Sequence, residues 1–124
     1  MFDIELPLPP SQNQLLRMHW ARRAKLKKEY TWLLCADKQR LAWIADNGHA
    51  KQYHVTITRR SCGREPDPKN LEEATKLILD ALVESAIIPD ANPHVITLGV
   101  YWEKASRKSQ CAHVLVWRTI DVRS

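Results

Sequence analysis

Two aspartates, Asp67 and Asp90, stand in proline-marked loops on either side of a predicted helix, and Lys76 lies inside that helix. Carboxylates on loops suit a hard cation, because Mg²⁺ takes one or two of them, keeps several waters and binds substrate phosphate oxygens. A cation held in this way lowers the pKa of a bound water and stabilises the departing oxygen when a phosphodiester is cut. The pattern predicts metal-dependent phosphodiester chemistry, with Lys76 about two turns into the helix and close to a phosphate. The alternative is that both aspartates are solvated loop residues.

The charge of the chain is divided into three blocks. The 124 residues carry a net charge of +5, and the isoelectric point is about 9.3. Residues 1–60 hold 11 Lys or Arg against 5 Asp or Glu, residues 61–94 hold 3 against 7, and residues 95–124 hold 5 against 2. A basic chain with one acidic island is typical of a metal-dependent enzyme that acts on a polyanion. The alternative is a solvated acidic helix in a basic protein.

A second chemical feature is a run of basic residues early in the chain. Six Lys or Arg between residues 17 and 28 exceed what solubility needs, and His19 and Trp20 lie among them. Cations neutralise phosphates and aromatic rings stack on bases, so we expect this run to contact nucleic acid. The alternative is the solvated face of a long helix, and Arg59 and Arg60 are further candidate contacts. The expected contacts within the run are Arg17, Arg22, Arg23, Lys25, Lys27 and Lys28.

The elements that position these residues follow from hydrophobic periodicity. Alternation predicts a strand at residues 2–6, which prolines end, with Ser11 as the N-cap of the next helix and Asn13 as a second candidate. The stretch 16–45 has no Gly or Pro and predicts one long helix, or two with a slight break. Further strands are predicted at 53–60, 95–102 and 111–120, and a helix from Lys69 or Asn70 to Ser85. The prediction is a single α+β domain over residues 1–124, with about four strands, two main helices and the order β-α-β-α-β-β.

In their order and spacing these motifs resemble those of the RusA-type Holliday junction resolvases, a family of small bacterial and phage endonucleases. The family pattern is an Asp-x-Asp-Asn-Leu stretch, a helical Lys, an Asp-Ala-Leu and an Asp-Asp pair after the helix. The corresponding residues here are Asp67-Pro68-Lys69-Asn70-Leu71, Lys76, Asp80-Ala81-Leu82 and Pro89-Asp90. The opening of the chain matches as well, through Leu6-Pro7-Leu8-Pro9-Pro10-Ser11-x-Asn13 and Arg17-Met18-His19-Trp20-Ala21.

The resemblance implies a homodimer that binds four-way (Holliday) junctions in branched double-stranded DNA. It implies that the dimer resolves them by paired symmetric nicks during DNA recombination and repair, with Mg²⁺ as the cofactor and Mn²⁺ as a substitute. By the same resemblance, Asp67 and Asp90 are the metal ligands and catalytic carboxylates, and Lys76 is the catalytic lysine. Asn13 and Lys69 join the basic residues above as expected DNA contacts.

Two positions depart from the family pattern. Pro89 replaces the first Asp of the pair, which is tolerable because Asp90 aligns with the carboxylate that carries the function. Lys69 replaces the second carboxylate of Asp-x-Asp, and its ammonium group would repel Mg²⁺ or occupy the place of the metal. Either another carboxylate supplies the missing ligand, or the chain binds junctions and cuts them poorly. The candidate replacement ligands are Glu65, Glu72 and Glu73.

The predicted helix also constrains how the two aspartates meet. A helix from Asn70 to Ser85 is about 24 Å long, and Asp90 follows too soon after it for the chain to run back to Asp67. If both aspartates share one metal, antiparallel packing of two copies of this helix across a two-fold axis brings them together.

Other classes of protein are less well supported. The spacing shows no zinc motif, no base beside a Ser or Cys nucleophile, and no glycine-rich loop for a nucleotide cofactor. No apolar run approaches the roughly 18 residues of a membrane span, and the first residues lack the features of a signal peptide. Three widely spaced cysteines suit a reducing compartment, so we expect a cytoplasmic protein. A general basic RNA- or DNA-binding module is the third hypothesis.

Overall fold

A four-stranded open mixed sheet forms the framework of the chain. The structure is a computed structural model that describes residues 1–46, 50–92 and 96–120. Its strands are β1 (Phe2–Leu6), β2 (Ala50–Ser61), β3 (Ile96–Lys104) and β4 (Cys111–Ile120), in the spatial order β1-β4-β2-β3. β4 is antiparallel to β1 and β2, whereas β2 and β3 are parallel. The predicted small α+β domain with about four strands is confirmed.

Helical segments fill the two long connections of this sheet. Before β2 lie α1 (Gln12–Arg17), α2 (Trp20–Ala36) and α3 (Gln39–Ala45). The crossover from β2 to β3 contains α4 (Pro68–Ala74) and α5 (Lys76–Glu84), and a 3-10 helix (Arg107–Ser109) precedes β4. The prediction of two main helices is therefore wrong in detail, because the first helical region is three helices and the second is two. No described helix has the length and apolar character needed to cross a bilayer.

Side chains that cap the backbone explain the breaks in the first helical region. Ser11 begins α1 with a reciprocal capping box, in which its Oγ accepts from the amide of Gln14, so the predicted N-cap is confirmed. His19 begins α2, and its Nδ1 accepts from the amide of Ala21 at 3.2 Å. Asp37 has an extended backbone and accepts from the amide of Gln39 at 2.9 Å. Such bonds compete with helical continuation even where Gly and Pro are absent.

Alternate residues of the strands bury one face of the sheet. Val55 and Ile57 of β2 pair with Val116 and Val114 of β4 on this face, and all four are buried. The same core contains buried residues from α2 and α5, namely Tyr30, Leu34, Ile78, Ala81 and Leu82. The opposite face carries polar and aromatic side chains that are partly or fully exposed. Packing of α2 on α5 therefore fixes the crossover against one face of the sheet. The crossover includes the loop that carries Asp67, here called the first motif loop, and the loop that carries Asp90, the second motif loop.

Candidate functional site

The first motif loop ends where α4 begins, and Asp67 is the residue that caps this helix. Its Oδ1 accepts from the amide of Lys69 at 3.2 Å, and its carbonyl accepts from the amide of Leu71 at 2.9 Å. Pro68 occupies the first helical position, where a missing N–H group has no cost. The helix therefore starts one or two residues earlier than predicted, and Asp67 is its N-cap. This local bond fixes the orientation of the Asp67 carboxylate.

The second motif loop leaves α5 through a Schellman turn. The amide of Ile87 bonds the carbonyl of Leu82, and the amide of Ala86 bonds that of Val83, both at 3.0 Å. Ala86 adopts φ 63°, and Ile87 and the residue after it are completely buried. These anchors hold the start of the loop that carries Asp90, whose Oδ1 accepts from the amide of Asn92 at 3.2 Å.

The predicted metal ligands lie on the surface and are not gathered into a larger cluster. Asp67, Asp90 and Lys69 are exposed, and each aspartate uses one carboxylate oxygen within its own turn. Across the described residues, no three His, Cys, Asp or Glu side chains form a group that could hold a metal ion. Each aspartate keeps a second carboxylate oxygen outside its turn, and such oxygens are the ligands of which Mg²⁺ takes one or two from a protein.

The helix between the two motif loops is interrupted at Thr75. Thr75 is buried, and its Oγ1 donates to the carbonyl of Glu72 at 2.7 Å. Lys76 is consequently the first residue of α5, with an exposed side chain, and does not lie two turns into a continuous helix. The side chains of Glu73 and Asn13 fall outside the described part of the chain, so their expected roles stay predictions.

Two of the candidate replacement ligands share a cavity. Glu65 and Glu72 line a space of about 440 Å³ between α4 and the edge strand β3, beside Tyr101 and Trp102. Neither Asp67 nor Asp90 is among the described residues that line it. The structure therefore brings these two glutamates together and places them in a cavity separate from the aspartates.

Arg59 and Arg60, expected together as DNA contacts, project from opposite faces of β2. Arg60 lies on the open face, where its guanidinium is 3.3 Å from a carboxylate oxygen of Glu5 and 3.5 Å from one of Glu103. Arg59 lies on the helix-covered face and donates through Nη1 to the carbonyl of Pro9 at 2.8 Å. Burial lowers the pKa of Arg59, against a smaller opposing effect of the Tyr30 hydroxyl. The two arginines therefore have different environments and different possible partners.

Comparison with known proteins leaves the family open. No protein-family model matches the chain. A search of curated proteins finds no significant match either. The resemblance to junction resolvases therefore rests on the motif residues themselves.

Most of the basic run forms a continuous exposed region, here called the basic surface. Residues 20–25 at the start of α2 are all exposed, and Trp20 is 74% exposed with its ring next to that of His19. Lys27 differs, because its Nζ lies 2.9 Å from a carboxylate oxygen of Glu84 and their hydrogen bond raises the pKa of Lys27. The other cations of the run have no ion-pair partner within the part of the chain that the structure describes. The basic surface consists of Arg17, Arg22, Arg23, Lys25 and Lys28.

One cation near the motif was missed by sequence reasoning. Arg64 is exposed and lines the same cavity as Arg59 and Asn70. It follows Gly63, whose φ of 89° turns the chain away from the end of β2. The Gly63-Arg64 pair after a strand was the available signal, because a glycine turn places the next side chain outside the sheet.

Proposed function

We propose that the chain is a RusA-type junction endonuclease of the bacterial or phage cytoplasm. In this proposal a homodimer binds four-way DNA junctions and resolves them by paired symmetric nicks, using Mg²⁺ or Mn²⁺. The observation that carries the proposal is the packing of α1 on α4, because α1 ends at Arg17 of the basic surface and α4 is the helix that Asp67 caps. A cation that suits a phosphate thus lies on a helix in contact with the helix capped by a carboxylate that suits a hard cation.

The basic surface supports binding of a DNA backbone. Its five cations have no described carboxylate partner, so each can neutralise a phosphate and release a counterion. Trp20 adds an exposed ring at the edge of this surface, which suits stacking on an unpaired base at a junction. Lys69, close to Asp67, is a further phosphate contact in this proposal.

The two aspartates support cutting. In the proposal Asp67 and Asp90 hold the divalent cation, which supplies an activated water and stabilises the leaving oxygen. Asp67 is fixed by its capping bond, so its second oxygen is oriented without a folding change. Lys76 stabilises the negative charge that develops on the phosphate, and Glu65 or Glu72 is the replacement ligand expected if a third carboxylate takes part.

The dimer is supported by the substrate and by exposed apolar side chains. Two symmetric cuts require two sites related by a two-fold axis. Trp32 of α2 and Leu41 of α3 are 68% and 74% exposed, which suits burial against a second copy of the chain. Sedimentation equilibrium measures this directly and gives twice the 14.4 kDa chain mass if the dimer forms.

A second candidate function is a junction-binding protein that does not cut. Lys69 favours it, since this residue, two positions after Asp67, carries an ammonium group where the family pattern has a carboxylate. The absence of a described group of three ligand side chains is compatible with both candidates. The candidates differ only in the chemistry at Asp67, so one experiment separates them.

The experiment is cleavage of an end-labelled four-way junction in about 10 mM Mg²⁺ or Mn²⁺, chosen as hard cations. The variants are Asp67→Asn and Lys69→Asp, with Asp46→Asn as a matched control because Asp46 is exposed and lies outside both motif loops. We expect symmetric nicks by the wild type, a loss of about 100-fold or more in Asp67→Asn, and no change in Asp46→Asn. Equal losses in both Asn variants would refute the role of Asp67.

Binding is measured in the same series without metal. A preference for the junction over a duplex of equal length supports either candidate function, whereas equal affinities indicate a general nucleic-acid module. Binding without cutting by the wild type, with cutting restored by Lys69→Asp, identifies the non-cutting candidate. No binding to any DNA would refute both.

A further inference from the structure

A small cavity lies on the other side of the first motif loop from Glu65 and Glu72. It has a volume of about 200 Å³ and is enclosed by the loop after β1, the end of β2 and the first turns of α4. Pro66 and Leu71 line both cavities, so the loop and α4 form the wall between them. The polar residues that line the small cavity are Ser11, Arg59, Ser61, Arg64, Asn70 and Gln110.

The charges around this cavity are all positive. Arg59 and Arg64 line it, and no carboxylate is among its described lining residues. Two acidic side chains of the same segment, Glu65 of the loop and Glu72 of α4, line the opposite cavity. The wall therefore separates an acidic space from a basic one.

Arg59 is a cation of the lining whose described hydrogen-bond partner is neutral. It is partly buried, and its one hydrogen bond to a described residue goes to the neutral carbonyl of Pro9. No described carboxylate lies within ion-pair distance, in contrast to Arg60 and Lys27, which both have acidic partners. Its other guanidinium nitrogens are not buried, so they remain accessible for hydrogen bonding. A partly desolvated cation without a counter-charge is costly, and an anion in the cavity would offset that cost.

The rest of the lining is held in place by the fold. Ser61 Oγ accepts from Trp102 Nε1 at 2.9 Å, and Gln110 Oε1 accepts from the amide of Cys62 at 3.1 Å. Two hydrogen bonds fix the loop after β1. Arg59 donates to the Pro9 carbonyl, and the buried hydroxyl of Tyr30 donates to the Pro7 carbonyl. The walls are therefore set before a ligand binds.

We propose that this cavity binds one phosphate group, with Arg59 and Arg64 contacting its oxygens and Asn70 donating from α4. The planar guanidinium fork matches the oxygens of a phosphate, and hydrogen bonds between them are strong because both partners are charged. A volume of about 200 Å³ is below the roughly 300 Å³ at which pockets for drug-sized ligands begin. The cavity is thus of a size that suits a small anion such as a phosphate group.

The phosphate has two possible sources, inorganic phosphate and a phosphodiester of a nucleic-acid backbone. The second source rests on the proposed function, and the first does not. Inorganic phosphate is therefore titrated first, without DNA or divalent metal, into wild type, Arg59→Gln and Arg64→Gln by isothermal titration calorimetry at constant ionic strength. Arg107→Gln is the matched control, because Arg107 is exposed and is absent from the cavity lining.

We expect saturable binding of one phosphate per chain, with Kd raised about 10-fold or more by Arg59→Gln and by Arg64→Gln, and less than about 2-fold by Arg107→Gln. Because Arg59 also holds Pro9, its variant is interpreted only if circular dichroism shows a folded chain. If the Arg59 variant is not folded, the test rests on Arg64→Gln, because Arg64 is exposed. No saturable binding, or equal effects of Arg64→Gln and Arg107→Gln, would overturn the proposal.

The source is then identified with a short oligodeoxynucleotide that has no terminal phosphate. If a backbone phosphodiester occupies the cavity, inorganic phosphate competes with the oligonucleotide, and Arg64→Gln weakens oligonucleotide binding more than Arg107→Gln does. If inorganic phosphate is the ligand, phosphate binding responds to Arg64→Gln while oligonucleotide binding responds equally to both variants. Loss of DNA binding with phosphate binding retained would refute the proposed function and leave the cavity as a phosphate site.

Discussion

Raising the pH is expected to destabilise the chain through one buried phenol that supports the wall of the phosphate cavity. Tyr30 is 1% exposed, and its hydroxyl donates to the carbonyl of Pro7 at 3.0 Å. Burial raises the pKa of Tyr30 from 10.0 to about 12, a larger effect than the lowering by Arg59. The folded chain therefore holds the phenolic proton more tightly than the unfolded chain. The stabilisation is complete below pH 10 and is lost as the pH rises through about 12.

The size of the effect follows from the difference between the two pKa values. A difference of about two pKa units corresponds to about 2.7 kcal/mol of unfolding free energy, at 1.36 kcal/mol per unit. Ionisation also removes the only proton that Tyr30 can donate, which leaves the Pro7 carbonyl without this partner. A loss of this size is a substantial part of the 5–15 kcal/mol that stabilises an ordinary domain.

The measurement is the free energy of urea unfolding, followed by circular dichroism at intervals from pH 8 to pH 12.5. Lysines titrate over the same range, so the comparison is between wild type and variants. Tyr30→Phe should start about 1 kcal/mol less stable and then lose about 2–3 kcal/mol less than wild type as the pH rises. Tyr101→Phe is the matched control, because Tyr101 is 58% exposed, and it should follow the wild type. Parallel curves for wild type and Tyr30→Phe would refute the reasoning.

Two further predictions concern the end of α5. Ala86→Gly should raise stability by about 1 kcal/mol, since Ala86 has φ 63° at a position where glycine avoids the strain of an L side chain; a lower midpoint of thermal unfolding than wild type would contradict this. Trp43→Phe should lower the free energy of urea unfolding by about 1–3 kcal/mol. Trp43 is 6% exposed, and its Nε1 donates at 2.8 Å to the Ile87 carbonyl, which would lose this partner in the variant. A cost under about 0.5 kcal/mol would show that water replaces the lost bond.

The strands were predictable because their signal is repeated along the chain. β1 and β4 occupy the residues expected, 2–6 and 111–120, and in β1 apolar and polar residues alternate without interruption. The helical breaks depend instead on single side chains. His19 and Asp37 accept from the amides two residues ahead, His19 at the start of α2 and Asp37 at its end, within a stretch that contains no Gly or Pro. Such a bond forms only where tertiary packing offsets the lost helical turn, and the sequence pattern does not contain that information.

The candidate site was predictable by residue type and less so by environment. Asp67-Pro68 is a cap followed by a favourable first helical residue, and this pair could have located the start of α4 from the sequence. The period of β2 also places Arg59 in phase with Val55 and Ile57, on the buried face, and Arg60 out of phase with them. The strand period does not predict the position of the loop after β1. This loop supplies the Pro9 carbonyl and makes Arg59 part of a cavity.

Under the proposed function, the lysine at position 69, where the family pattern has a carboxylate, separates binding from cutting in physical terms. Binding of a polyanion is strengthened by each added cation, because a further counterion is released from the backbone. Holding Mg²⁺ is weakened by the same cation, because the ammonium group repels the metal near Asp67. One substitution therefore acts in opposite directions on the two steps, and it lies beside a cavity whose lining is already basic. Under the proposed function, the wild type should bind a junction more tightly than Lys69→Asp and cut it more slowly. If another carboxylate has replaced the missing ligand, the wild type would still bind the junction more tightly than Lys69→Asp, but the two would cut it at the same rate.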